Sequence, residues 1–131
     1  MINVAFFVAL ILFSVGAVSA SGEGKSGTPK DDAYAAKLWQ YMLSKQLIGE
    51  GRVHSYPFVG SRPHGSIQEI IATTGAVDGH TGKLIVKHNY GADTALSPKD
   101  VYSNNQAENY VALTVMFQRE QGYDSANSEW F

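Results

Sequence analysis

The stretch KLIVKHNY, from Lys83 to Tyr90, alternates between two sets of side chains in the way that a β-strand requires. Successive side chains of a strand point to opposite faces. One face is mostly apolar and the other mixes apolar with cationic and polar groups: Leu84, Val86, His88 and Tyr90 on the first, and Lys83, Ile85, Lys87 and Asn89 on the second. The stretch therefore predicts a strand with one covered face.

The residues before this strand predict its partner. Ser66 to Thr73 is rich in Ile, which favours a strand, and Asp78-Gly79 is a strong signal for a short hairpin. We therefore expect two antiparallel strands joined by a tight turn.

Asn109 to Gln118 predicts a third strand that is apolar on both faces. Such a strand is expected at the centre of a sheet, covered on both sides. Ser128 to Phe131 predicts a short further strand beside it, and its interruption leaves a sheet edge open to association between copies. The alternative is that a short final strand simply packs Trp130 and Phe131 on the core.

Ala33 to Ile48 predicts the main helix, capped by Asp31 or Asp32 and ended by Gly49 and Gly51. Its apolar residues recur at helical spacing and predict one buried stripe: Ala35, Leu38, Met42, Trp39, Leu43 and Leu47. The predicted fold class is α+β, with an N-terminal helix packed on an antiparallel β-sheet whose last strand is incomplete. The region between the last two long strands, residues 91–108, is expected to be a polar loop.

The N-terminal residues differ from the rest of the chain. Val4 to Val18 is an unbroken run of apolar and small residues, shorter than a membrane-spanning helix needs, and Val18-Ser19-Ala20 suits a signal peptidase. We expect a signal peptide at 1–20, a flexible leader at 21–30 and a domain at 31–131, hence a periplasmic or secreted protein. The alternative is a retained N-terminal membrane anchor.

Composition excludes several classes of function. The chain has 131 residues, a net charge of −2 and no Cys, so it lacks the basic excess of a nucleic-acid binder and cannot use thiol catalysis or Cys-ligated zinc. Its four His have no metal-binding spacing, and no Gly-x-Ser-x-Gly motif is present. The sequence predicts no catalytic residue and no metal ligand. Arg62 and His64 are interpreted as part of a surface turn, with a small polar cluster at a pocket mouth as the alternative.

Three stretches resemble the cytochrome P-460 family, which are small bacterial c-type haem proteins of the periplasm. They are SRPHGS (Ser61 to Ser66), TGKLIVKHNYG (Thr81 to Gly91) and VALTVMFQREQGYDSANSEWF (Val111 to Phe131). The third is the most specific, with a strand ending in a Val-Met pair, then Gly-Tyr, a short polar loop and an acidic residue before Trp-Phe. Together with the helix, the resemblance covers most of the chain from about Asp31 onward.

The resemblance implies haem c as the family's cofactor and haem-dependent redox chemistry on hydroxylamine or nitric oxide as its role. In the family, haem lies between the sheet and a C-terminal segment, where a Cys-x-x-Cys-His motif attaches it. That motif does not occur in these 131 residues. We therefore expect a truncated copy of the family domain that does not hold haem as its relatives do.

The resemblance also suggests residues for the cofactor pocket: Lys87, Val115 and Phe117, with Leu84, Val86 and Leu113, or else the opposite faces of the same strands. The oxidising members carry a lysine that is bonded to the haem. Gly91 stands at the corresponding position in this chain, and Lys87 is the neighbouring candidate for that lysine.

Two alternatives to the family role remain open. One is a haem-free periplasmic module that binds a small apolar ligand or a protein through the cavity and the open edge. The other is haem held without covalent links, with His54, His64 or His88 as an axial ligand.

Overall fold

The computed structural model describes residues 27–61, 66–91, 96–103 and 109–131. The elements are helix α1 (Pro29–Ser44), strands β1 (Phe58–Val59), β2 (Ile67–Val77) and β3 (His80–Tyr90), helix α2 (Pro98–Ser103), strand β4 (Tyr110–Phe117) and a 3-10 turn at Ser125–Asn127. The strands form one open antiparallel sheet in the order β1-β2-β3-β4, and α1 packs on one face of it. The predicted α+β class is confirmed.

Helix α1 begins earlier than the sequence predicts. Thr28 is the N-cap, its hydroxyl accepts a hydrogen bond from the Asp31 N–H, and the Asp31 carboxylate accepts one from the Thr28 N–H. This reciprocal capping box, followed by Pro29 in the first turn, fixes the start. Asp31 is therefore the third helical residue rather than the cap, and the helix starts inside the range assigned to the leader.

The buried stripe of α1 is narrower than predicted. Tyr34, Leu38 and Met42 are buried, whereas Trp39 and Leu43 are exposed. The helix ends at Ser44, so Leu47 and Ile48 reach the core from the following turn. The core then closes on Leu84, Val86 and Phe117 of the sheet. The sequence prediction was wrong at Ala35, Trp39 and Leu43, which are exposed, because it assumed a wider covered face.

The hairpin between β2 and β3 agrees with the prediction. Val77 pairs with His80, and the two residues between them, Asp78 and Gly79, both have positive φ, at 53° and 82°. A two-residue turn of this kind matches the right-handed twist of the flanking strands. The pairing continues without a break from Val77 to Ile67, so both strands are longer than predicted.

Strand β4 lies at an edge of the sheet, and the prediction that it is central and covered on both sides was wrong. Its outer neighbour is reduced to one isolated bridge, between Gln118 and Trp130. Ser128 and Glu129 have left-handed φ values of 56° and 64°, so they turn the chain and cannot belong to the predicted strand 128–131. Phe131 pairs with Phe117 at the end of β4, and Trp130 pairs with Gln118, the residue that follows the strand.

The predicted polar loop before β4 contains helix α2. Ser97 and Asp100 form a second capping box, since the Asp100 N–H donates to the Ser97 hydroxyl and the Ser97 N–H donates to the Asp100 carboxylate. Val101 is buried against Ile67 and Tyr90 in a second, smaller core. The signal Ser-x-x-Asp was present in the sequence and was overlooked.

Candidate functional site

A buried ion pair lies at one end of the helix-covered face of the sheet. Glu69 of β2 is fully buried and is held by both guanidinium nitrogens of Arg52, with Nη1–Oε1 at 2.9 Å and Nη2–Oε2 at 2.7 Å. The Tyr90 hydroxyl donates to Glu69 Oε2 at 2.8 Å, and the Ser55 N–H donates to Oε1 at 2.7 Å. We call Arg52, Ser55, Glu69 and Tyr90 the Glu69 cluster.

The charges of this cluster are fixed by its hydrogen bonds. Burial raises the pKa of Glu69, but the hydrogen bonds from Arg52, Tyr90 and Ser55 outweigh it and hold the pKa below its ordinary value. Burial, together with the bond to Glu69, raises the pKa of Tyr90. Glu69 therefore stays ionised and Tyr90 protonated near neutral pH. Because the Glu69 oxygens already accept four hydrogen bonds, they are poorly placed to take a substrate proton, and the cluster fastens residues 52–55 to the sheet.

No sequence motif marks this cluster, and it was not predicted. Glu69 stands between Ile67 and Ile71 on the inward face of β2, and Arg52 lies between α1 and β1, outside any helix or strand. An acidic residue at an inward strand position has to find a cationic partner. The inward position of Glu69 in the strand pattern could therefore have indicated a buried ion pair.

Of the described histidines, His54 and His88 lie near Glu69, whereas His80 lies at the other end of β3. His88 is buried and its Nε2 lies 3.2 Å from the Leu47 carbonyl oxygen, and burial lowers its pKa. His80 Nε2 lies 3.0 Å from the Gln118 carbonyl oxygen. His54 is the more open one, with a side chain 43% exposed and Nδ1 3.7 Å from Glu69 Oε1. His64 and Arg62 lie outside the described residues.

Over the part of the chain that the structure describes, no three His, Asp or Glu side chains are grouped to hold a metal ion.

The residues suggested for a haem pocket fall on two different faces. Val115 and Phe117 lie on the helix-covered face, where Phe117 is fully buried and its ring centroid is 6.2 Å from that of Tyr34. Lys87 lies on the other face, opposite Ile70 of β2 and Thr114 of β4. The structure therefore does not bring the three residues together. Leu84, Val86 and Leu113 accompany Val115 under the helix.

The second face of the sheet is largely uncovered by the described residues, and we call it the open face. The strand registers align Ala72, Ile85 and Met116 in one row across β2, β3 and β4. Ala72 and Met116 are exposed and Ile85 is half-buried. The other positions of this face on the three strands are polar, small or apolar, with two lysines and no acidic residue: Gln68, Ile70, Thr74, Ala76, Thr81, Lys83, Lys87, Asn89, Ala112 and Thr114.

Lys83 and Lys87 stand on either side of Ile85 along β3. At about 3.3 Å per residue, their Cα atoms are about 13 Å apart. The centre of the open face is thus an apolar row with a cation on each side, which suits an apolar group that carries negative charge.

A groove of about 1220 Å³ separates the first turns of α1 from the segment after β4. Arg119 lines the groove, with the guanidinium carbon 3.7 Å from the centroid of the Tyr34 ring and 4.5 Å from that of Tyr123. Phe131 packs edge-on against Tyr34 at 5.2 Å. The chain's own cation and aromatic rings therefore line this groove and already contact one another.

No helix within the described ranges has the length and apolar composition needed to cross a membrane. The apolar run from Val4 to Val18 lies outside those ranges, and its assignment as a signal peptide stays a prediction. Comparison of the chain with family models, with curated proteins and with solved structures finds no match.

Proposed function

We propose that this chain is an exported, cytochrome P-460-like domain that acts as a binding module, and that the open face of its sheet binds a small apolar ligand carrying a negative charge. The observation that carries the proposal is the unequal burial of the two faces. Leu84 and Val86 are fully buried beneath α1, whereas Ala72 and Met116 on the opposite face are exposed.

The family's covalent haem site does not fit the residues present. Attachment through Cys-x-x-Cys-His needs two thiols, and this sequence has no Cys. We therefore assign no haem-dependent step on hydroxylamine or nitric oxide to these residues. From the family resemblance we propose a common ancestry and export of the chain. Binding of a ligand is the function that we propose for the chain itself.

The composition of the open face supports an apolar anion as the ligand. Burying the row formed by Ala72, Ile85 and Met116 would remove apolar surface from water, at about 25 cal/mol per Å². Lys83 and Lys87 would lie beside the ligand's charged group. An apolar carboxylic acid meets both requirements.

Titration with an apolar sulfonate dye tests the proposal. We expect saturable binding, seen as a rise in dye fluorescence, and loss of that binding in Ile85→Glu, which places a carboxylate in the apolar row. Val59→Glu is the matched control, since Val59 is 71% exposed on β1, at the opposite edge of the sheet from β4. Unchanged dye affinity in Ile85→Glu would contradict the proposal.

A second function, non-covalent haem binding, is favoured by the exposure of His54. Among the described histidines, His54 has an open side chain, whereas Nε2 of His80 and Nε2 of His88 each lie at hydrogen-bonding distance from a backbone carbonyl. Haem added to the purified chain would then give a Soret band that His54→Ala removes and His54→Met shifts. A Soret band that persists in His54→Ala would refute this axial ligand.

A further inference from the structure

The two lysines of the open face differ in their surroundings. Lys87 is half-buried, whereas Lys83 is exposed. Neither forms an ion pair with any of the described residues. Because water screens a charge less where the side chain is partly withdrawn from it, Lys87 attracts an anion more strongly than Lys83 does. An anion bound at this face therefore has its stronger cationic partner at Lys87.

Thr114 places a hydroxyl beside Lys87. The two residues are directly opposite each other on β3 and β4, which puts their Cβ atoms about 5 Å apart. The side-chain nitrogen of Asn89 donates to Thr114 Oγ1 at 3.2 Å and to the Ala112 carbonyl oxygen, also at 3.2 Å. Because a carbonyl oxygen only accepts, the Asn89 amide has to turn its nitrogen toward Ala112. Thr114 Oγ1 is therefore an acceptor in its bond with Asn89.

This bond leaves the Thr114 hydroxyl with its own hydrogen to donate, and no described residue accepts it. Asn89 is only 6% exposed, so water is largely kept from the bond and the hydroxyl oxygen is held in place. Thr74 stands opposite Lys83 in a comparable way, but no hydrogen bond within the described ranges holds its hydroxyl. The Lys87 end of the open face thus has an oriented donor beside its cation.

We propose that Lys87 and Thr114 bind the negative group of the ligand, that this group is a carboxylate, and that the apolar part of the ligand extends from there across Ile85 toward Lys83. This inference rests on the proposed function and specifies the ligand of the same surface. The Lys87 ammonium would donate to the carboxylate, and so would the Thr114 hydroxyl. One cation and one hydroxyl suit a single negative charge. The class of ligand is therefore an apolar monocarboxylic acid, such as a saturated fatty acid.

Displacement of the sulfonate dye by decanoate tests the cation, with decanol as the uncharged competitor of the same chain length. Dissociation constants of the competitors are corrected for the affinity of the dye for each variant. Lys87→Met keeps the length of the side chain, and we expect it to weaken decanoate by about tenfold or more and to leave decanol unchanged. Lys83→Met is the matched control and should weaken decanoate by less than about fivefold, because the charge it removes is exposed.

The hydroxyl has its own pair of variants. Thr114→Val keeps the shape of the side chain and removes the donor, so decanoate should bind about fivefold to tenfold more weakly. Thr114→Ser keeps the hydroxyl and should restore most of the affinity. Thr74→Val makes the same change opposite Lys83, at another exposed position, and should leave the affinity for decanoate unchanged.

Far-UV circular dichroism checks that each variant keeps the sheet, and Lys87→Gln replaces Lys87→Met if that variant does not fold. Decanoate binding that depends on Lys83 and Thr74, and not on Lys87 and Thr114, overturns the inference while the proposed function stands. Absence of saturable dye binding to the unchanged chain refutes the proposed function, and the inference with it.

Discussion

At the scale of single residues, Glu69 is the side chain whose surroundings most constrain it. It is fully buried, and its two oxygens accept bonds from Arg52, Tyr90 and the Ser55 N–H. A buried ion pair contributes little net stability when complete, because desolvation offsets the attraction between its charges. Removing one partner leaves the other charge buried, and the cost is then large.

Glu69→Gln should lower the free energy of unfolding by about 3–5 kcal/mol, because the Arg52 guanidinium, whose side chain is only 9% exposed, loses its counter-charge. Urea denaturation followed by circular dichroism measures this loss. The matched control is Glu120→Gln, which breaks an ion pair with Arg119 whose acidic partner is 52% exposed, and should cost less than about 1 kcal/mol. Equal losses in the two variants would show that Glu69 is not buried with its partner.

His88 should make the stability of the domain depend on pH. Burial lowers its pKa, and the nearby Arg52 charge lowers it further, so the folded state takes up a proton less readily than the unfolded state. As pH falls below about 6.5, the unfolded state binds more protons and the free energy of unfolding decreases, by up to about 1.4 kcal/mol per pH unit. The loss continues until the folded state is itself protonated.

Urea titrations at pH 7.5 and 5.5 measure this slope, and carboxylates stay mostly ionised in both states over that range. His88→Gln should flatten the slope, whereas His54→Gln, at an exposed position, should leave most of it. A slope that is unchanged in His88→Gln would contradict the assignment.

At the scale of elements, the start of α1 depends on Thr28. Its hydroxyl accepts the Asp31 N–H at 3.2 Å and donates to the Asp31 carboxylate at 2.7 Å. Thr28→Ala should cost about 1 kcal/mol, because an N–H of the first turn loses its acceptor. Thr28→Ser keeps the hydroxyl and should cost much less. A thermal melt of the two variants distinguishes them, and equal melting temperatures would mean that the cap contributes nothing.

The elements that the sequence predicts correctly are those that local chemistry specifies. Asp78-Gly79 fixes the hairpin, and the alternation in KLIVKHNY fixes which side chains of β3 share a face. The prediction of a central position for β4 was wrong because the apolar sequence of a strand does not show what covers it. The same sequence suits a strand covered by a neighbouring element, by a second copy or by nothing. The Glu69 cluster was missed because its partners are 17 and 21 residues away from Glu69 along the chain.

At the scale of the whole molecule, the domain is a sheet with one face covered by α1 and one open face. Alternate side chains of each strand belong to opposite faces. Leu84 and Ile85 are neighbours on β3 that point to opposite sides. Leu84 is fully buried with α1 above it, and Ile85 is half-buried in the apolar row of the open face. The two residues therefore report separately on the core and on the proposed ligand surface.

Leu84→Ala should lower the free energy of unfolding by about 2–5 kcal/mol, since it leaves a cavity beneath the helix. Ile85→Ala should cost clearly less, because part of its side chain is already in contact with water, but it should weaken binding of the apolar dye. Urea denaturation and dye titration on the same two proteins measure both quantities. If Ile85→Ala is as destabilising as Leu84→Ala, the open face is covered in the folded protein by a second layer, and the binding surface proposed for it does not exist.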